Sequence, residues 1–491
     1  MGKMKVIRII LVPYPAQGHI TPMLNLASAL LNHGLEPVMV VPEYIHRQII
    51  KSPTMDGEMN KILWKPIPDG MSKDTEPPDF FSIETAMENT MPSHLEKVVR
   101  ELGGGEEEEE DGGGGNGVIV GCMVVDLLAS WAIQVASRCG VPAAGFWPAM
   151  FATYRLITAI PDMIMAGFIS DSGFPQHSKH YFLPCEPILS MEDLPWLIGN
   201  LESRKARFKF WTRTLNRSRS LKWLLVNSFP EEKLFHIDHH QHQNQLINIS
   251  KNNNTTTETT TSPIVFAIGP LSKLAKTKNV LSLRDEDKSC LKWLDKQKPQ
   301  SVIYISFGSW VSPIGEDKVK NLAMALEAFE HPFLWVLGSN WRKGLPKGYL
   351  ERVVFSKKAA GQVVSWAPQI EVLKHSSVGC FLTHCGWNST MEAIQFRKRL
   401  LCFPIAGDQF VNSIYIVKVW RIGIRINNGF GQSDIEEGLR MVMEDTEMNE
   451  RLKKVYEKTM GEEAIFKVEL NLKAFVDDAT KICYQNCMNS N

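Results

Sequence analysis

The sequence predicts an α/β protein built from two Rossmann-like domains, each with a doubly wound parallel sheet. Short runs rich in β-branched residues alternate with longer amphipathic stretches, as expected when helices connect parallel strands. This alternation starts again in the second half of the chain, so two α/β domains in series explain it better than one long sheet. The length of 491 residues is sufficient for two domains.

In the first domain, the pattern predicts a strand at Val6–Val12 and then a helix from about Pro22 to Asn32. Thr21 and Pro22 indicate the start of this helix, because Thr caps helix N-termini and Pro is favoured in the first turn. The other predicted elements of this domain are strands at Pro37–Val41, Val118–Val125 and Pro142–Phe146, and a helix around Ser130–Ser137.

The second domain repeats the alternation, with predicted strands at Ser301–Phe307, Phe333–Leu337, Gln362–Ser365, Gly379–Thr383 and Leu400–Phe403 and helices at Asp317–Phe329 and Ser389–Phe396. We place the first domain at residues 1–263, an interdomain linker at 264–289, the second domain at 290–461 and a C-terminal helical segment at 462–491. The polar stretches Gly103–Gly117 and Asn248–Ser262 lack apolar residues to bury and are predicted to be flexible loops.

Composition excludes several classes of protein. Lys plus Arg and Asp plus Glu both number 54, so the net charge is zero, which argues against a nucleic-acid-binding protein. No run of about 20 apolar residues predicts a membrane-spanning helix. The nine cysteines include no CxxC pair, which indicates reduced thiols rather than a disulfide framework. We therefore expect a cytoplasmic protein.

Two polar residues follow predicted strands of the first domain. His19 lies on the loop after the first strand, and Asp126 directly follows Val118–Val125. Ligands bind at this edge of open α/β sheets, and a carboxylate beside an imidazole makes the ring a better base. A surface or capping role remains the alternative for each residue taken alone. The absence of GxGxxG argues against a nicotinamide enzyme.

The segment Trp366–Gln409 concentrates further candidates. His384 ends a strand and Gly386–Ser389 turn into a helix, whose N-terminus favours an anion. Taken singly, the candidates also fit purely structural roles: Ser389 to Glu392 fits a capping box, the tryptophans fit core positions, and Asp408 and Gln409 fit a turn. The candidates are Trp366, Ala367, Gln369, His384, Trp387, Asn388, Ser389, Glu392, Asp408 and Gln409.

This segment resembles, over its whole length and without a gap, the signature box of plant secondary-product glycosyltransferases in the UDP-glycosyltransferase family. Other parts of the chain resemble further segments of that family in the same order: Gly18–Met23, Asp126 with Trp131, Leu225–Phe229, Ile268–Leu271, Trp293–Asp295 and Ser301–Ser309. The resemblance implies a GT-B fold, in which the two domains face each other across a cleft and the last helix crosses back to the first domain.

The resemblance also implies roles for the candidates. His19 would be the base that activates the acceptor, oriented by Asp126. The donor would be a UDP-sugar, with Trp366 stacked on uracil near Ala367 and Gln369, and with Glu392 on the ribose. The diphosphate would lie against His384, Asn388, Ser389 and the Ser309 loop, and the sugar against Trp387, Asp408 and Gln409.

Gln409 favours glucose as the transferred sugar. The acceptor would be a small lipophilic molecule with a hydroxyl group, which becomes a β-glycoside by inversion. The resemblance implies no metal and no cofactor besides the UDP-sugar co-substrate, and we expect a monomer. The alternatives are the same fold with another UDP-sugar, or a non-catalytic protein that binds a sugar nucleotide or another ligand.

The basic triplet after the predicted helix Ser389–Phe396 departs from the family pattern, and so do the segments that would shape the acceptor site. Arg397-Lys398-Arg399 stands where the family usually has Gly-Val-Pro, and Gly would suit a left-handed helix end there. Either the helix ends differently, or these basic side chains extend into solvent. The identity of the acceptor is not readable, because Trp64–Phe81, Phe146–Tyr154 and Cys185–Leu201, which would shape its site, have the weakest family pattern.

Overall fold

The computed structural model describes residues 6–51, 60–71, 79–103, 118–176, 187, 189–190, 193–234, 263–275, 282, 284–308, 314–355, 361–426 and 429–489. The predicted loop Gly103–Gly117, apart from Gly103 itself, and the predicted loop Asn248–Ser262 lie outside these residues, as does Ser309.

The described residues of the first domain form a seven-stranded parallel sheet in the order β3-β2-β1-β4-β5-β6-β7. Its central strands are buried apolar runs because helices cover both faces. Its strands are β1 (Val6–Val12), β2 (Glu36–Pro42), β3 (Leu63–Ile67), β4 (Val118–Asp126), β5 (Ala143–Trp147), β6 (Trp223–Val226) and β7 (Ile264–Ala267). Its helices are α1 (Gln17–Leu31), α2 (Glu43–Ile49), α3 (Phe80–Asn89), α4 (Met91–Leu102), α5 (Trp131–Arg138), α6 (Phe151–Thr158), α7 (Ile160–Met165) and α8 (Leu201–Ser218).

The second domain has a six-stranded parallel sheet in the order β10-β9-β8-β11-β12-β13. Its strands are β8 (Val302–Ser306), β9 (Phe333–Val336), β10 (Gly361–Val364), β11 (Val378–Thr383), β12 (Arg399–Cys402) and β13 (Gly423–Arg425). Its helices are α9 (Ser289–Leu294), α10 (Glu316–Ala328), α11 (Tyr349–Phe355), α12 (Gln369–Lys374), α13 (Trp387–Gln395), α14 (Gln409–Ile414), α15 (Gln432–Glu444) and α16 (Met448–Met460). Two parallel α/β sheets confirm the predicted fold class.

Two predicted boundaries are wrong. Helix α1 begins at Gln17 rather than Pro22, so His19 lies in its first turn and not on a loop. The backbone N–H groups of His19 and Ile20 both bond to the carbonyl of Ala16, and the fully buried Ile20 packs in the core, which outweighs the start signal at Pro22. The predicted linker at 264–289 begins too early, because Ile264–Ala267 forms β7, paired with β6.

The last helix, α17 (Glu462–Asn489), packs on the first sheet although the second domain precedes it. Asp478 accepts a hydrogen bond of 2.7 Å from the indole of Trp223, and Asn471 donates to the carbonyl of Ala267 at 2.8 Å. Phe475 is fully buried, with its ring 5.8 Å from that of Trp223. In the parts of the chain that the structure describes, no helix has the length and apolar character needed to cross a membrane.

Candidate active site

A cavity of about 450 Å³ lies between the two sheets, at the carboxyl ends of their strands. Its walls come from the loops and helix starts that follow β1, β5, β8 and β11, and from the segment around Trp366. Ligand sites of open α/β sheets lie at this edge, because the strand ends there point free backbone groups and side chains into the crevice. Every predicted site residue among those described lines this cavity except Asp126, which lies behind His19.

His19 and Asp126 form the pair that the sequence predicted. His19 Nδ1 and Asp126 Oδ2 are 2.7 Å apart, and the Asp126 carboxylate is fully buried whereas the imidazole is partly exposed to the cavity. The contact forms because β1 and β4 are adjacent, which brings their carboxyl ends together. Asp126 also accepts from the backbone N–H of Leu128, so it caps the next turn as well as orienting His19.

This geometry fixes the imidazole. With Nδ1 held by the carboxylate, the proton on that nitrogen is directed at Asp126, and Nε2 makes no hydrogen bond to any described residue. Nε2 is therefore free to accept a proton from a ligand in the cavity. A buried carboxylate on the opposite nitrogen stabilises the imidazolium that results.

On the other side of the cavity, helix α13 presents an N-terminus without a side-chain cap. The cap residue is Gly386, whose carbonyl accepts from both the backbone and the hydroxyl of Thr390. Ser389 thus lies in the first turn rather than at the cap, so the alternative interpretation of Ser389 and Glu392 as a capping box does not hold. An uncapped helix end carries about half a positive charge and can hold an anion.

His384 lies directly before this helix and is almost fully buried. Burial lowers the pKa of its imidazole to about 4, so the ring is neutral near pH 7. A Cβ added at Gly308 or Gly386 would come within 2.6 Å or 2.5 Å of His384 Nε2, so both positions require glycine for the ring to fit. His384 can contribute hydrogen bonding and shape to an anion site, but no positive charge.

Gln369 organises the region expected to hold the ribose. Its amide nitrogen donates to Ser389 Oγ at 2.9 Å and to Glu392 Oε2 at 2.7 Å, while its oxygen accepts from the Tyr304 hydroxyl at 3.1 Å. Burial raises the pKa of Glu392 to about 7. One oxygen of the Glu392 carboxylate is held by Gln369, so the carboxylate is oriented before any ligand binds.

Trp366 lines the cavity, next to the buried Ala367. Its indole N–H donates to Ser282 at 3.2 Å, and the guanidinium of Arg284 lies 5.0 Å from its ring centre. The indole is thus fixed by residues of the linker. Sequence reasoning missed both residues, because no motif or spacing links Ser282 or Arg284 to Trp366.

Trp387 and Asn388 face the first domain. The indole N–H of Trp387 donates to the carbonyl of Asn227 at 2.7 Å, and its ring stacks on Phe229. The only polar group of this side chain is therefore already paired, while Trp387 still lines the cavity, and its position beside the sugar stays a prediction. Asn388 donates to the carbonyl of Gly18 at 2.8 Å, one residue before His19.

Asp408 and Gln409 lie opposite His19. Burial raises the pKa of Asp408, whereas Asn412, which donates to it at 2.8 Å, and the nearby charge of His19 lower it. The side-chain oxygen of Gln409 accepts from the backbone N–H groups of Ile405 and Ala406. A role in the turn therefore accounts for one end of Gln409, and its amide nitrogen remains available to a ligand.

Of the basic triplet, Lys398 is buried and Arg399 partly buried, whereas Arg397 is exposed. Arg397 adopts the left-handed conformation, with φ of 52°, and its guanidinium lies 4.7 Å from the ring centre of Tyr456. Lys398 is buried and donates to the carbonyls of His375 and Val378, and Arg399 donates to the carbonyls of Val442 and Met443. Each cation therefore satisfies a partner in the fold, which explains how this departure from Gly-Val-Pro is tolerated.

The wall next to His19 is mostly aromatic and apolar. The three segments predicted to shape it contribute Phe80, Trp147, Pro148, Ala149, Thr153, Pro195 and Ile198 among their described residues. Helix α8 adds Arg207, Phe210 and Trp211, which sequence reasoning missed because α8 has no family motif and its face toward the cavity is set by packing. In the described residues, no group of three or more His, Cys, Asp or Glu side chains is placed to hold a metal ion.

Comparison with known proteins agrees with this architecture. Residues 276–459 match the family described as UDP-glucoronosyl and UDP-glucosyl transferase. The structure resembles that of UGT71G1 from Medicago truncatula, solved with UDP-glucose, with a TM-score of 0.74 and 24% identity over 97% of this chain and 98% of that one. It also resembles Os79 from O. sativa, solved with UDP, with a TM-score of 0.73 and 23% identity over 96% and 100% of the two chains. The fold is therefore GT-B.

Closer relatives are found among plant enzymes. The chain is 51% identical to UDP-glycosyltransferase 82A1 of Arabidopsis thaliana over 94% of its own length and 96% of the relative's. It is 31% identical to UDP-glycosyltransferase 83A1 of the same plant, covering 92% of each chain. The chain belongs to the plant UDP-glycosyltransferase family, which confirms the resemblance, and it is a UDP-glycosyltransferase.

Proposed function

We propose that this enzyme transfers glucose from UDP-glucose to a hydroxyl group of a small lipophilic acceptor, with inversion to a β-glycoside. The observation that carries the proposal is the 2.7 Å contact between His19 and Asp126, which faces the uncapped start of α13 across one cavity. A base on one wall and an anion site on the other are the two parts that such a transfer needs.

In the proposed reaction, His19 Nε2 accepts the proton of the acceptor hydroxyl as its oxygen attacks the anomeric carbon. The bond between that carbon and the diphosphate breaks, and UDP leaves with the electron pair. The dipole of α13 stabilises the charge that UDP gains, together with hydrogen bonds from the Asn388 and Ser389 region. We propose that no metal or further cofactor takes part, since the helix end supplies positive potential where the diphosphate would lie.

Replacing His19 with Ala should reduce transfer by about 10²- to 10⁴-fold, the usual contribution of a general base. UDP affinity should stay near that of the native enzyme, because the donor site lies on the other wall. UDP release with a panel of phenols measures transfer, and calorimetry measures binding. Full turnover in His19→Ala would overturn the assignment of the base.

The choice of glucose rests on Gln409, which lines the cavity next to Asp408, and on the resemblance to the plant glycosyltransferases. Competition among UDP-glucose, UDP-galactose and UDP-glucuronate tests this choice, and a preference for either of the last two would contradict it.

We further propose that the protein is a cytoplasmic monomer. Six described cysteines form no disulfide, which supports the reducing compartment: Cys122, Cys139, Cys290, Cys380, Cys385 and Cys402. Light scattering tests the monomer, and a fluorescent fusion tests the compartment.

A further inference from the structure

The wall next to His19 carries one permanently charged side chain. Of the described residues that line the cavity, Arg207 is the only Lys or Arg. The carboxylates that line the cavity, which are Glu286, Glu371, Glu392 and Asp408, belong to the linker and the second domain. The acceptor half of the cavity is thus an aromatic pocket with a single cation and no lining carboxylate among the described residues.

Arg207 has no anionic partner in the described parts of the chain. Its Nε is buried without a hydrogen bond, and its guanidinium lies 4.5 Å from the ring centre of Phe80. The charge of Glu84 acts on Arg207, but the carboxylate of Glu84 forms its ion pair with Arg213. Burial lowers the pKa of Arg207, yet a guanidinium remains charged in proteins. A partly buried guanidinium that makes no ion pair is poorly compensated, so an anionic ligand would be stabilised here.

Tyr14 relates this cation to the base. The Tyr14 ring centre is 5.0 Å from that of His19, and the charges of both Arg207 and Asp126 act on its phenol. Arg207, Tyr14 and His19 all line the same cavity. A ligand with a hydroxyl at His19 and an anion at Arg207 would carry both groups on one molecule, and the surrounding aromatic wall suits a ring between them.

We propose that Arg207 binds a carboxylate of the acceptor, and that the preferred acceptors are hydroxyaryl carboxylic acids that receive the sugar on their hydroxyl group. This inference rests on the proposed function, and it adds the class of acceptor. Arg207 presents a planar fork of N–H donors, which matches a carboxylate geometrically. The carboxylate itself is not the nucleophile, because it is held away from His19.

The test compares 4-hydroxybenzoate and 4-hydroxycinnamate with their methyl esters, using UDP-glucose as the donor. The native enzyme should favour each acid by at least about tenfold in kcat/KM, the size of one charge-assisted hydrogen bond. In Arg207→Met the ratio of acid to ester should fall to about one, chiefly through a higher KM for the acid. Arg207→Lys should keep part of the preference, and Lys209→Met, which removes an exposed charge from the same helix, should keep all of it.

Equal or better use of the esters by the native enzyme would overturn the inference while leaving the proposed function intact. The same holds if Arg207→Met lowers acid and ester turnover equally. If no phenol, acid or ester, releases UDP although UDP-glucose binds, the proposed function itself fails. Product analysis by mass spectrometry and alkaline hydrolysis distinguishes a phenolic glycoside from a glucose ester, and a glucose ester would also contradict the inference.

Discussion

Glu392 is an acid in the donor half of the cavity whose pKa is raised to about 7 because it is buried. Below this pH it is protonated in the free enzyme, and above it the carboxylate is charged and oriented by Gln369. Hydroxyl groups that donate to a carboxylate favour its charged form. Ribose hydroxyls bound at Glu392 should therefore lower its pKa, and nucleoside affinity should rise as the pH increases through 7.

We expect the Kd of uridine to increase, as the pH is lowered from 8 to 6, by up to about tenfold per unit below the pKa. Uridine is the probe because it has no phosphate that titrates in this range. Calorimetry at several pH values measures the slope, and Glu392→Gln should bind uridine with little pH dependence. A flat profile in the native enzyme, or an unchanged slope in the variant, would exclude Glu392 as the ribose ligand.

Single residues also show where sequence reasoning succeeds and where it stops. The pairing of His19 with Asp126 could be predicted because adjacent parallel strands end at the same edge. The spacing of Ser389 and Glu392 fits a capping box and a ribose site equally well, and only the observed start of α13 separates them. The partners of Lys398 are carbonyls far from it in sequence, and nothing in the local pattern reveals such contacts.

Helix α1 contains Pro22, which has no backbone N–H to donate to the carbonyl of Gly18, four residues earlier. That carbonyl instead accepts from the side chain of Asn388 in the other domain. The proline thus leaves an acceptor on the first turn of the helix that carries His19. Through this carbonyl, the proline in α1 allows a hydrogen bond between the helix that carries His19 and the first turn of α13.

Replacing Pro22 with Ala should return an N–H to the helix and let it compete for the Gly18 carbonyl. We expect the free energy of unfolding to be unchanged or to rise by up to about 3 kcal/mol, since proline is unfavourable inside a helix. Transfer should nevertheless fall by about fivefold, the size of one net hydrogen bond. Melting curves and kcat/KM for the same preparation measure both quantities.

The control uses Asn388→Ala as a second background. If Pro22 acts through the bond between Gly18 and Asn388, the change at Pro22 should have no further effect on transfer there. Additive losses would assign the effect of Pro22 to another cause.

The position of Pro22 inside α1 also explains why the predicted start of this helix is wrong, because Pro usually marks a first turn. Strand β7 was missed for a different reason: it has only four residues, and the first two are exposed, so it lacks the apolar pattern of a buried strand.

At the scale of the whole molecule, α17 ties the end of the chain to the first domain. Phe475 is fully buried against Trp223 and Phe266, with ring centres 5.8 Å and 5.9 Å away. The two-domain fold and the cleft could be predicted from the restart of the strand pattern and from the resemblance. The order of strands within each sheet, and the anchors between domains, depend on long-range packing that periodicity does not encode.

Phe475→Ala should lower the free energy of unfolding by about 3 to 5 kcal/mol, the usual effect of truncating a buried aromatic residue. Phe466→Ala provides the matched control, because Phe466 lies on the same helix and is 59% exposed. Its stability should change by less than about 0.5 kcal/mol. Denaturant titration of the full chain compares the two, and equal effects would show that α17 does not stabilise the first domain through this contact.

The first turn of α13 has two neighbouring residues, Trp387 and Asn388, that grip separate parts of the first domain, while its free end faces the place proposed for the diphosphate. The first turn of α13 therefore contacts the opposite domain and also lies next to the proposed diphosphate site. Linkage is reciprocal, so any effect of nucleotide binding on these two interdomain contacts is matched by an equal effect of the contacts on nucleotide affinity. Contacts that strengthen when the nucleotide binds would hold the two domains together until the nucleotide leaves.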